Sequence, residues 1–209
     1  MSNEELKLYN RAIFLGYFTF FYNIVEGIIS VFFGIKDETL TLFGFGIDSF
    51  IEAISGVGIL QMILRIKKNP ETQKTKFEIT ALKITGICFY LLSIGLGIGI
   101  VLNLIYDNKP NSTFIGTIIS IISIFIMLWL YFEKKNIGKI LNSSPMISDA
   151  NCTKVCIYMS IVLLISSVIY EITKFQFTDI FGTVGIIYFS IKEGNEAFEK
   201  AKGKNNCCC

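Results

Sequence analysis

Six predominantly apolar runs, each near the roughly 20 residues that cross a bilayer as helix, alternate with short polar connections along this 209-residue chain. They cover about 11–35, 40–66, 79–106, 113–132, 147–172 and 177–191. Hydrocarbon offers no hydrogen-bond partners, so each run has to satisfy its own backbone, which an α-helix does. The pattern predicts an all-α membrane protein, a bundle of six transmembrane helices with the last one short. With 52% hydrophobic and 17% charged residues, the chain is too apolar for an ordinary soluble domain. A net charge of +2, with its basic residues in short connections, argues against nucleic acid as a partner.

Orientation follows from lysine and arginine, which collect in cytoplasmic connections. Arg65, Lys67, Lys68, Lys74 and Lys76 follow the second run, and Lys134, Lys135 and Lys139 follow the fourth. The opposite connections, KDE, DNKPNS and EITKF, carry one lysine each. Both termini are therefore expected in the cytoplasm, in a bacterial inner or plasma membrane. The start of the chain, MSNEELKLYN, is polar and of mixed charge, unlike a signal-peptide n-region, and is expected to persist. This divides the chain into a cytoplasmic N-terminus (1–10), a transmembrane domain (11–192) and a short cytoplasmic tail ending in cysteines (193–209). Glycines within the runs, as in GFG at 44–46, GVG at 56–58 and GLGIG at 95–99, read mostly as close helix packing.

The second run contains FGFGIDSFIEAISG, with Asp48 and Glu52 four apart. A carboxylate at mid-membrane depth costs roughly 2.5–3.5 kcal/mol even on a mild insertion scale, so it marks a cavity or an ion. Spaced by four on a helix, the two acids share one face about 6 Å apart. The fifth run opens with SDANCTKVC, where Asp149, Cys152 and Cys156 also share a face. At 1.5 Å per residue, the acids should lie roughly 12–18 Å from the outer end of their helix and Cys156 roughly 15 Å from the inner end of its own, at matching depth. The chain has no histidine. Two carboxylates and two thiols at a common point suit a borderline-soft divalent ion such as zinc, or else cobalt, iron or cadmium. The rival reading for the acids is a structural ion pair with Lys83 or Lys154, and for the two cysteines, ordinary buried packing.

Other polar positions carry two readings each. Glu26 and Asn23 in the first span either line an ion path or, for Asn23, bond across helices. Asp149 serves the approach path or is a helix-start acid with Ser148 as cap. Asp179 reads as a solvated helix-start acid, and Cys88 as packing. The terminal Cys207, Cys208 and Cys209 could capture a soft metal, with lipidation or dispensability as the alternatives. The cysteine pattern is not that of a disulfide framework, so reduced thiols are expected.

These motifs resemble the cation diffusion facilitator family of metal-ion transporters, particularly short members without the cytoplasmic domain. In that family the second helix carries a D-x-x-x-D pair and the fifth an H/D-x-x-x-D pair, which together bind the transported metal. Asp48 with Glu52 matches the first closely. Cys152 with Cys156 stands at the second and departs from it, tilting the choice toward softer ions. The resemblance implies a homodimer, cytoplasmic termini and export of a divalent cation in exchange for protons.

The expected function is thus efflux of a divalent transition-metal ion, zinc foremost, by a proton-coupled antiporter with metal and protons as substrates and no resident cofactor. Proton coupling also has a direct basis, because carboxyl and thiol ligands must lose protons to bind a metal. The alternative is a non-transporting metal-binding membrane regulator or scaffold with the cysteine tail as its reactive part. No nucleophile with a base and no nucleotide loop is present, so an enzyme is not expected.

Overall fold

The structure, a computed structural model, describes residues 3–68, 76–106, 110–175 and 177–203. Cys207, Cys208, Cys209, Lys74 and the DNK portion of the third connection fall outside them. Six helices follow one another: α1 (Asn3–Lys36), α2 (Leu40–Lys68), α3 (Lys76–Tyr106), α4 (Phe114–Ile140), α5 (Ser144–Thr173) and α6 (Phe177–Ala201). Each centres on an apolar run, and no strand occurs among the described residues. Two links turn tightly through left-handed residues, Glu38 between α1 and α2 and Asn142 between α4 and α5, and Lys174 ends α5 in the same conformation.

Several residues read as connections are helical. The polar N-terminal flank is helical from Asn3, RIKK belongs to the last turns of α2, and α4 runs through EKKNIGKI to Ile140. Lys134, counted among the loop cations, is in fact 5% exposed and ion-paired with Asp149 at 3.1 Å. Likewise α6 continues beyond Glu193 to Ala201. Length and composition qualify α1 through α5 to cross a membrane. The sixth helix is of comparable length but carries Asp179 at the start and Lys192 and Glu193 at the end of its apolar stretch, and of these Asp179 and Glu193 are buried inside the bundle.

The outside is apolar and much of the inside polar. Phe14, Phe21, Ile28 and Ile35 recur every seventh residue on the exposed side of α1, and Ile87, Leu91, Ile94, Ile98, Val101 and Ile105 are exposed on α3. Buried positions instead hold Asn23, Glu26, Ser30, Thr41, Asp48, Ser49, Ser123 and Ser160. In lipid, apolar surface does not drive helices together, so close packing and interhelical polar bonds have to hold them. The second helix packs on α1, α3, α5 and α6, while α4 pairs with α5 and α3 with α6. Two apolar clusters result. One, near the termini, joins Leu15, Ile63, Met127, Leu130 and Ile137; the other joins Phe45, Leu96, Met159, Leu163 and Ile186, with Cys88 packed against it.

Asp179 corrects the sequence reading. It lies in the first turn of α6 but is 1% exposed, and water does not solvate it. Its carboxylate accepts the backbone N–H groups of Leu40 at 2.9 Å and Thr41 at 3.2 Å, while Thr41 Oγ1 donates to the Asp179 carbonyl at 2.6 Å. An acid from α6 thus satisfies the otherwise orphaned first amides of α2 and favours its dipole. Asp179→Ala is expected to cost about 2 kcal/mol by stranding two buried donors. Thermal melting of the detergent-solubilised protein should then fall by roughly 4–8 °C.

Candidate metal centre

The polar residues of α1, α2 and α5 gather between the two apolar clusters. On α2 the acids follow the small residues of FGFG, which bring α1 and α2 together: a Cβ at Gly46 would lie 2.7 Å from the Val31 backbone nitrogen. That approach places Glu26 of α1 against Ser49 of α2. Ser49 Oγ donates to Glu26 Oε2 at 3.0 Å, and Tyr22 donates to Oε1 at 2.7 Å. Both oxygens of Glu26 are therefore held by neutral donors.

Glu52 is the meeting point of three helices. The Cys156 thiol of α5 donates to its Oε1 at 2.6 Å, and Asn23 Nδ2 of α1 reaches its Oε2 at 3.4 Å. The depth match drawn from helix rise is realised in this contact. Asn23 bonds across helices, as one of its two readings expected, and the bond goes to a site carboxylate. Asp48, one turn earlier, is 2% exposed and its Oδ1 has no hydrogen-bond partner. Glu52, Glu193 and Glu26 lie close enough for their charges to act on it. Neither Lys83, which is exposed on α3, nor Lys154, which lies over the Tyr158 ring at 5.5 Å, is among the groups whose charge acts on Asp48 or Glu52, whereas the buried Lys134 acts on Glu52.

The face shared by Asp149, Cys152 and Cys156 fans out to three neighbours. Asp149 turns to α4, where Lys134 Nζ bonds it at 3.2 Å and Thr153 at 3.1 Å. Cys152 turns to α6, where Lys200 Nζ donates to its Sγ at 3.1 Å. Cys156 alone faces α2. Neither Asp149 nor Ser148 starts the helix, because the N-cap is Ser143 and no acid occupies the first turn; the capping reading of that pair is corrected on this ground. Asp149 is instead the counter-ion of a buried lysine. All three described cysteines, Cys88, Cys152 and Cys156, are free.

The four residues chosen as ligands are thus joined in part. Glu52 meets Cys156, Asp48 lies within its field, and Cys152 is held by an ammonium. Among the described residues, no three acid or thiol side chains converge closely enough to hold one ion as they stand. Three participants escaped the sequence reading: Tyr22 and Ser49, which hold Glu26, and Glu193 of α6. The last is 8% exposed, has an unpartnered Oε1, and its charge reaches Asp48, Glu52 and Cys152. Its sequence signal was an acid one residue beyond the end of an apolar run, after Lys192 and next to the small Gly194.

Chemically, the arrangement offers anionic oxygens and a thiol in a water-poor interior, where an unpaired charge is costly and a cation is the natural partner. Among known proteins, no curated sequence matches this chain significantly. Residues 16–202 match the family described as the cation efflux transmembrane domain.

Proposed function

Because the chain belongs to the cation efflux family, and is on that ground an integral membrane cation transporter, we propose that it exports a borderline-soft divalent metal ion, zinc foremost, in exchange for protons. The observation that carries this reading is the 2.6 Å contact of Cys156 with Glu52, one helical turn from an Asp48 carboxylate with an unsatisfied oxygen. Carboxylates alone suit hard ions, whereas a thiolate ligand shifts preference toward zinc and cadmium. Asp48, Glu52 and Cys156 act as ligands. Cys152 joins them when Lys200 releases it.

Proton exchange follows from the same contact. The thiol that donates to Glu52 must give up its proton before sulfur can bind metal, and protons returning from the outer face would favour release. Glu26 and Asn23 fix the α1 side of the path. In this reading the termini face the cytoplasm, residues 11–192 form the transport domain, two copies associate through lipid-facing helices, and Cys207, Cys208 and Cys209 deliver metal from the tail.

The test is flux into proteoliposomes with a trapped metal-sensitive dye under a pH gradient. Zinc and cadmium are expected to move, and Cys156→Ser should lower their flux about tenfold relative to manganese, because an alcohol replaces the soft ligand. Unchanged ion preference in Cys156→Ser removes the thiol from the site. No flux of any divalent ion through the wild-type protein overturns the transport mechanism proposed.

A further inference from the structure

The carboxylates of the centre are not equally satisfied. Glu26 is held by Tyr22 and Ser49, and Glu52 by Cys156 and Asn23. Two acids remain. Asp48 on α2 and Glu193 on α6 are each more than nine-tenths buried, and each has an oxygen without a partner. The helices that carry them pack together, and the charge of Glu193 acts on Asp48. Two buried acids with open oxygens supply, once deprotonated, the charge that one divalent cation would neutralise.

We propose that Glu193 is a ligand to the transported cation, so that the centre draws on α2, α5 and α6. This rests on the transport reading above and extends its ligand set to a third helix. The surroundings of Glu193 already accommodate positive charge. On its own helix it faces Lys192, Glu196 and Lys200, and across the bundle Asp48 and Glu52 of α2 and Cys152 of α5. The Lys200 ammonium donates to the Cys152 sulfur at 3.1 Å, and Glu193 Oε1 has no hydrogen-bond partner. A metal bound by Asp48 and Glu193 has oxygen ligands on that side and the Cys156 sulfur on the other. This mixed set fits zinc or cobalt better than calcium or magnesium.

The experiment is optical titration of the full chain in lipid nanodiscs with Co²⁺, whose sulfur charge-transfer band reports Cys156 and whose visible bands report the whole coordination shell. Glu193→Gln should weaken binding about tenfold or more and alter the visible bands, while the charge-transfer band persists at saturation. Its metal-free melting temperature should stay close to that of wild type, since the change removes repulsion from Asp48 and Glu196 together with attraction to Lys200 and Lys192, and Glu193→Asp should recover part of the affinity. Wild-type affinity and visible bands in Glu193→Gln, with binding still lost in Asp48→Asn, overturn the inference and leave the transport reading intact. Unchanged Co²⁺ binding in both variants overturns the site itself, and the inference with it.

Discussion

Asp48→Asn is expected to abolish metal flux at limiting metal concentration, by a hundredfold or more. The substitution keeps size and shape but removes the anion, and truncating one partner of a buried charge pair costs about 2–5 kcal/mol, where each 1.4 kcal/mol is a factor of ten. Folding should not suffer. The unsatisfied oxygen of Asp48 has no bond to lose, and the neighbouring acids are relieved of a repulsive charge. A melting temperature at or above that of wild type, together with absent flux, would separate a ligand from a structural residue. Flux within twofold of wild type would remove Asp48 from the path.

The second large effect concerns Gly46. A valine there would drive its Cβ to 2.7 Å from the Val31 nitrogen and 2.8 Å from Val31 Cγ2, in a place where backbone and not a flexible side chain must yield. Overpacking of this kind costs about 1–3 kcal/mol or more. The larger consequence is positional. Asp48 is two residues away on the same helix, and separating α1 from α2 also pulls Ser49 off Glu26 and Asn23 off Glu52. Gly46→Val should therefore lose flux even where enough folded protein is recovered to assay. Gly56→Ala is the matched control: nothing lies within 4 Å of the added methyl, and alanine favours helix by about 1 kcal/mol over glycine. Equal melting of Gly46→Val and wild type in detergent would refute the packing argument.

Much of the architecture was legible because lipid demands a repeat of about 20 apolar residues, and the acids of α2 stood out because charge there is expensive. Counting rise along two antiparallel helices was enough to bring Cys156 to Glu52. What periodicity cannot supply is which neighbour a face meets. Asp149, Cys152 and Cys156 share one face of α5, yet α4, α6 and α2 each take one of them. Lys134 was misplaced for a related reason: the apolar pattern of α4 ends at Phe132 while the helix continues to Ile140, turning a loop cation into a buried partner of Asp149. Glu193 was assigned to a polar tail by the same logic. Asp179 looked solvated because it follows a short connection, and only the packing of α6 against the start of α2 places it on the Leu40 and Thr41 amides.

That last contact limits how the bundle can rock. A carrier that opens alternately to each side has to swing some helices against others, and the side chain of Asp179 pins the first turn of α2 to the first turn of α6 at the end remote from the termini. Opening there by parting these two helices would strip two amides and a carboxylate of their partners. On the transport mechanism proposed, a motion that keeps α2 and α6 as one arm pivoting about Asp179 spares both amide bonds and gives up at that end the bond from Ser166 Oγ of α5 to the Thr178 carbonyl. Asp48, Glu52 and Glu193 would then ride together on the moving arm, while Cys156 stays with α5 on the other, so that the sulfur and the carboxylates are drawn apart and closed again once in every cycle.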